Sequence, residues 1–399
     1  MSTVKGILNK SGMMIILLFT MLLFEVLIIN DDRGSLFSPQ NMTNLIAQNS
    51  YVVILATGML LCILTGGNID LSVGSQVILV GALAGIFIVD WSINTYLAIL
   101  ICLVLGTGIG AWQAFWIAYM EIPPFIVTLS GMLTFRGVAL MLMGSQNIGP
   151  FPIEYRDLFN SFIPSGRAEI NSAEMISTIS TVSTIIAVVI CAVLVAWQIV
   201  SRIQKQRKGY PVEKFVWLVI RIAVVCAVIL FVLINLGNHN GIPVILVLLG
   251  AVVLAYTYFT QNTVRGRYLY AMGGNAKAAQ LSGINTKRMM FFAYTNMGFL
   301  SGVAALAVVA RFNQASTTAG TGYELDAIGA CFIGGASAYG GIGKVGGVVI
   351  GAIFMGVLNM GMSLLGWEQN LQRVIKGLVL LAAVVFDVLS KRQQAGKLA

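Results

Sequence analysis

The feature that most limits what this chain can become is a series of long apolar runs, several of which reach the roughly 20 residues needed to cross a hydrocarbon layer about 30 Å thick. Candidate spans cover residues 13–29, 51–65, 73–89, 96–118, 125–143, 176–200, 215–235, 242–260, 289–310, 327–338, 345–365 and 371–389. In lipid every backbone polar group must be satisfied within the protein, so a chain of this kind spans as helices or as a closed barrel. The short alternating strands of a barrel are not seen here. The expected fold is therefore all-α, a polytopic membrane helical bundle of about 10–12 spans forming a single membrane domain over residues 1–399. With only 10% charged residues against 58% hydrophobic ones, a set of soluble domains is excluded.

Two of the runs are too short to cross unaided. The run 51–65 stops at GGNID, and 327–338 runs into YGGIG, so each is expected to be a broken or re-entrant helix. The first run, 13–29, follows Lys5 and Lys10 like a signal peptide. No small-residue cleavage site follows it and Asp31 and Asp32 close it, so an uncleaved first span is expected.

The net charge of +9 is gathered into four clusters. Lys5 and Lys10 precede the first run. Arg202, Lys205, Arg207, Lys208 and Lys214 occupy one loop (201–214), Arg265, Arg267, Lys277, Lys287 and Arg288 a second (261–288), and Lys391, Arg392 and Lys397 the tail. The positive-inside rule puts all four in the cytoplasm, together with both termini, and span parity agrees. Residues 144–175, with Pro150, Pro152 and Pro164, then form an extracytoplasmic loop. The positive charge is explained by topology, and no nucleic acid is implied.

Catalytic chemistry has little to work with. His239 is the one histidine and sits in the short outer loop GNHNG; Ser130 and Ser282 lack the surroundings of a nucleophile elbow. GIGKVG (341–346) matches G-x-G-x-x-G, yet no strand precedes it, and the Walker pattern fails at Ala338 and Val345. Cys62, Cys102, Cys191, Cys226 and Cys331 lie in or beside apolar runs without metal-ligand spacing and read as small buried hydrophobes. No enzyme, metal or cofactor is expected.

Glycines four apart, Gly81/Gly85, Gly106/Gly110, Gly298/Gly302 and Gly347/Gly351, suit close helix contact in lipid, within the bundle or at a dimer seam. Polar residues within spans are costly and so informative. Asp70 in GGNIDLSVGS suits an N-cap for a helix starting near Leu71 and also the lining of a solute path, with Asn68 and Ser72 beside it. Asn296 and Asn359 are further path candidates. Arg136 and Glu324 also stand near spans, Asp326 suits a cap for a helix beginning at Ala327, and Lys376 can pair with a carboxylate. These positions form no sequential relay of the kind an ion-coupled carrier displays.

The polar stretch 266–288 stands out in so apolar a chain. Its centre, NAKAAQLSGI, holds a short helix signal closed by Gly283, a C-cap position, and a compact helix at the membrane face suits a groove on another protein. Ala278, Ala279 and, four residues on, Gly283 match the core of the coupling loop of permease subunits of ABC importers. The longer phrase YAMGGNAKAAQLSGI (270–284) resembles the ribose, xylose and multiple-monosaccharide branch, as do GGNIDLSVGS (66–75), PPFIVTLSGMLTFRG (123–137) and ELDAIGACFIGGASAYGGIGKVGG (324–347). The resemblance runs from about residue 41 to 387. It departs at Lys277, where the family often has glutamate, and in its extra outer and basic loops, a length closer to the xylose and multiple-sugar members. It implies a bacterial inner-membrane permease with Gly273, Gly274, Asn275, Ala278, Ala279, Ser282, Gly283 and Ile284 meeting a separate ABC ATPase. It further implies an extracytoplasmic sugar-binding protein and a second permease copy as partners. An ion-coupled secondary transporter or a channel acting without an ATPase is the competing class.

Overall fold

The computed structural model describes residues 2–164, 173–210 and 215–395. Lys214 and Lys397 of the basic clusters and residues 165–172 of the long outer loop lie outside them. Among the described residues ten helical segments are long and apolar enough to cross a membrane. In chain order the helices are α1 (Ser2–Asn30), α2 (Pro39–Gln48), α3 (Ser50–Leu64), α4 (Val73–Gly85), α5 (Thr95–Ala118), α6 (Pro124–Met143), α7 (Ile153–Asn160), α8 (Ala173–Arg207), α9 (Phe215–Gly237), α10 (Val244–Asn262), α11 (Val264–Gly274), α12 (Ala276–Leu281), α13 (Thr286–Phe312), α14 (Tyr323–Ile333), α15 (Val345–Leu364) and α16 (Gln369–Ala395). Strands β1 (Phe162–Ile163) and β2 (Ile242–Pro243) pair antiparallel at the end of the bundle far from α11 and α12. The architecture is an all-α polytopic membrane bundle.

The short run at 51–65 is lengthened by a helix that hydropathy does not reveal. The segment PQNMTNLIAQ has too little apolar character to register as a span, yet Ser38 accepts a hydrogen bond from the Asn41 N–H and Pro39 starts the helix with its φ preset. α2 then meets α3 at Asn49, whose side chain donates to the Leu45 carbonyl, and the pair together cover residues 39–64. The run at 327–338 remains short, because α14 has only 11 residues. The last run lies in α16, a 27-residue helix whose apolar stretch is interrupted by Lys376 and Asp387.

α5 and α13 form the central contact. Gly106 and Gly110 lie against Gly298 and Gly302, and a Cβ added at Gly110 would stand 2.8 Å from the Gly298 Cα. Backbones this close gain dispersion contact where no hydrophobic force drives helices together. Gly81 faces Val309, and Gly351 faces the Ala330 carbonyl. All four glycine pairs are thus in use within the chain. The α8–α9 hairpin sits at the periphery, joined through a small cluster of Ala187, Leu233, Leu236 and Ile242.

Two helices start inside the bundle. After α13 the chain turns back along α4: Ala315 lies beside Gly85, and Gly320 beside Gly74. The 11 residues of α4 between those contacts measure about 16 Å at the helical rise, so the 313–322 segment descends by that depth. α14 therefore begins next to the first turn of α4, with Tyr51 and Tyr323 stacked at 3.7 Å. Its far end packs on α3, where the Cys331 thiol donates to the Ala56 carbonyl at 3.2 Å. The breaks at 65–72 and 334–344 are side by side, with Gly340 against Gly66 and Gly67.

Candidate functional site

The stretch 263–288 folds as two short helices whose ends are written in the local sequence. Thr263 accepts from the Gly266 N–H, and Asn275 accepts from the Ala278 N–H at 3.0 Å, starting α11 and α12. At the other end the Gly283 N–H donates to Gln280 and the Ile284 N–H to Ala279, with Gly283 at φ +83°. This paired closure needs a left-handed residue just past the helix, the position at which glycine is least strained. Ser282 adds a hydroxyl bond to the Ala278 carbonyl at 2.9 Å.

α12 has an anchored side and an open side. Ala279 is buried, while Ala278, Lys277 and Ser282 are exposed and Leu281 is 91% exposed. An isolated leucine at a helix end offers apolar area to a partner, with polar neighbours around it. Beside it, Lys287 pairs with Glu121 of the α5–α6 turn at 2.7 Å. The lysine's charge and hydrogen bond hold the Glu121 carboxyl below the usual carboxylate range.

The hairpin is seated on both helix breaks through backbone contacts. A Cβ at Gly273 would overlap the Leu64 carbonyl oxygen at the end of α3 and the Gly341 nitrogen. The Gly341 N–H donates to that same Leu64 carbonyl at 3.3 Å, and the Tyr270 hydroxyl donates to the Gly343 carbonyl at 2.8 Å. Gly274, by contrast, has open space around it. α11 thus connects α12 by backbone contact to the segments that precede α4 and α15.

Within the bundle, Asp70 and Ser72 meet Gln76 and Gln113 in one fully buried mesh. Ser72 donates its hydroxyl to Asp70 Oδ1 at 2.6 Å and accepts from Gln76 at 2.8 Å and Gln113 at 2.9 Å. Gly131 of α6 leaves the room that Gln113 occupies. Asp70 Oδ2 and Gln76 Oε1 remain without a hydrogen-bond partner. The expected cap is corrected here: α4 starts at Val73, and Asp70 bonds the Ser72 N–H at 2.9 Å, a side-chain turn two residues long that ends before the helix begins. The other path candidates lie apart. Asn68 donates to Thr65 at 3.1 Å, Asn296 accepts from the Tyr256 hydroxyl, and Asn359 lies with Asn49 and Asp326.

Asp326 also differs from its expected role. Helix α14 begins at Tyr323 after Gly322, so Asp326 falls inside the first turn and its carboxylate reaches across the bundle. Lys376 of α16 lies 3.0 Å from Oδ1 and the Tyr51 hydroxyl donates to Oδ2 at 2.6 Å. Arg136 of α6 donates to Thr321 at 2.9 Å and to the Ala319 carbonyl, holding the descending segment. Gln76 and Gln113 lie outside the sequence motifs, and a polar residue in an apolar run is the available signal for them; Tyr270 and Leu281 lie within 270–284, where the sequence gives neither a separate role.

A multi-pass helical bundle with two internally started helices and a structured hairpin joined to both breaks defines a membrane transport permease. Residues 41–384 match the family described as branched-chain amino acid transport system / permease component, and the chain belongs to that family. It is 35% identical over 360 residues to the xylose transport system permease protein XylH of Escherichia coli, covering 90% of this chain and 88% of that protein. The XylH protein of Haemophilus influenzae is also 35% identical, with 92% of it covered. The ribose import permease protein RbsC of Escherichia coli is 33% identical over 366 residues, 92% of this chain and 91% of the relative. No solved structure matches.

Proposed function

We propose that this chain is the membrane permease of an ATP-driven importer that carries a monosaccharide, of the xylose or ribose type, into the cytoplasm. The observation that carries the reading is the α11–α12 hairpin: a capped, partly exposed helix bound to both helix breaks, in a chain whose 35% and 33% identical relatives are named as xylose and ribose permeases. ATP hydrolysis then belongs to a separate ATPase, which meets Gly273, Gly274, Asn275, Ala278, Ala279, Ser282, Gly283 and Ile284 on the cytoplasmic side. A sugar-binding protein delivers substrate at the opposite face, and a second copy of the permease completes the path. Both termini are cytoplasmic, as the basic clusters require.

In this mechanism ATPase closure presses on α12, α11 shifts the 65–72 and 334–344 segments through Gly273, and α4 and α15 tilt so that access alternates. Asn68, Asp70, Ser72, Asn296 and Asn359 supply neutral or hydrogen-bonded polar groups along the route. The xylose and ribose names of the relatives, more than the amino-acid description of the wider family, support a sugar as cargo. The test is uptake of labelled pentoses and hexoses in a strain lacking this chain and complemented with it. Gly283→Asp is expected to abolish uptake and ATPase copurification while the permease still elutes as a folded peak; normal uptake with normal copurification would sink the assignment.

A further inference from the structure

A cavity of about 230 Å³ opens at the end of the bundle opposite α12, among α2, α7, β1, the α9–α10 loop and the last turn of α13. It is separate from the buried Asp70 mesh and from the hairpin. Arg311 and Asn44 line it, and neither makes a side-chain hydrogen bond or ion pair among the described residues. Asn160 donates one amide hydrogen to the Ala310 carbonyl at 2.7 Å. Asn240 directs its own toward the His239 ring nitrogen at 3.4 Å. The amide oxygens of Asn160 and Asn240 are thus left as acceptors, while Arg311 has only donors.

The lining holds no carboxylate. Burial holds the His239 imidazole below its ordinary range, so it is neutral at pH 7 and Arg311 is the one full charge on the wall. A site for a small anion would surround it with donors, and the two amide oxygens here oppose one. A hydroxyl both donates and accepts, so a wall that carries both donors and acceptors suits a polyol. Phe159 and Phe162 supply apolar area for the C–H side of a ring. Since one water takes about 30 Å³ of liquid volume, the cavity accommodates roughly eight waters, a space a single pentose or hexose fills.

We infer that this outer cavity is a second monosaccharide site of the permease, held by Arg311, Asn44, Asn160 and Asn240 and lying off the transport route. The inference rests on the sugar-importer reading for the choice among polyols. Sugar released near this face would be retained beside the mouth of the permease before it enters.

Binding of tritiated D-xylose, D-ribose and D-glucose to the full-length permease in lipid nanodiscs tests it. At least one sugar is expected to bind saturably at millimolar concentration, and Asn44→Leu and Asn240→Ala are each expected to weaken that binding about tenfold, the scale of one lost hydrogen bond. Thermal unfolding checks that both variants fold; Asn240 lies in a loop, so its variant keeps the test open if Asn44→Leu is damaged. Three results would overturn the site: no saturable binding of any of the three sugars, equal binding by wild type and Asn240→Ala, or displacement of bound sugar by equimolar acetate or inorganic phosphate. Failure of the importer reading shows elsewhere, as absent sugar uptake when ATPase and binding protein are both supplied.

Discussion

GGNIDLSVGS (66–75) and GGNAKAAQLSG (273–283) are alike on paper: each opens on Gly-Gly-Asn, and each holds serine and small residues within an apolar chain. In the bundle their fates are opposite. Asp70, Ser72 and Ser75 are buried; Asp70 is held by Ser72, and Ser72 is tied to glutamines of α4 and α5. Asn275, Ala278, Ser282 and Gly283 lie exposed and satisfy one another through caps. The difference is in where the hydrogen-bond partners come from. The exposed stretch closes its polar groups locally, so it holds its shape while remaining free to meet another protein. The buried stretch borrows a partner from α5, 41 residues from Ser72, so its polar groups are satisfied only inside the assembled bundle.

The largest effect is expected where the two stretches meet. Gly273→Val forces a side chain into the Leu64 carbonyl and Gly341, an overlap with backbone that repacking does not relieve, at a cost of about 1–3 kcal/mol or more. Its thermal midpoint in detergent should fall sharply and uptake should be lost, while the neighbouring Gly274→Val, with open space around it, should keep a thermal midpoint near that of wild type. Equal damage from both would break the comparison.

Next comes the buried mesh. Gln113→Leu removes a donor to Ser72 and an acceptor from Gln76; Ser72 keeps Asp70 and Gln76, and one buried Gln76 amide hydrogen is left unpaired at about 1–3 kcal/mol. A midpoint unchanged in a fluorescence-detected unfolding assay would show that the mesh is not a structural unit. Leu281→Asp should act in the opposite sense: with the side chain 91% exposed, stability is expected to stay within about 0.5 kcal/mol of wild type, yet ATPase copurification should be lost. Retained copurification would remove Leu281 from the contact.

The smallest effect belongs to Glu121 and Lys287, both exposed, where an ion pair contributes little. The pair lowers the Glu121 pKa, so its contribution is present above the ordinary carboxylate range and fades as pH falls through the lowered value. Glu121→Gln should therefore differ from wild type in thermal midpoint only above that range, and the two curves should converge in acid. Divergence at low pH would show that Glu121 acts through something other than its charge.

Much of this was legible in the chain. The helical membrane character, the two breaks at GGNID and YGGIG, and the closure at Gly283 depend on hydropathy and residues within a turn or two, and all three are seen in the structure, while several span bounds shift. α2 was missed because its ten residues are too polar to register as membrane, and only the Ser38 and Pro39 start signal betrays it. Asp70 and Asp326 were placed as caps by local rules, yet one bonds a turn and the other reaches Tyr51 and Lys376.

By itself, then, the sequence determined that this is a helical membrane bundle, which of its helices are broken, and how the α12 hairpin is capped, because water avoidance and capping are local demands. Only the tertiary structure decided that Gly273, Leu64 and Gly341 meet, that the 313–322 segment descends to Gly74, and that Asp326 is answered from α3 and α16. Those contacts join residues up to hundreds of positions apart. They exist because helix backbones packed at glycine contact bring together groups that no local pattern pairs.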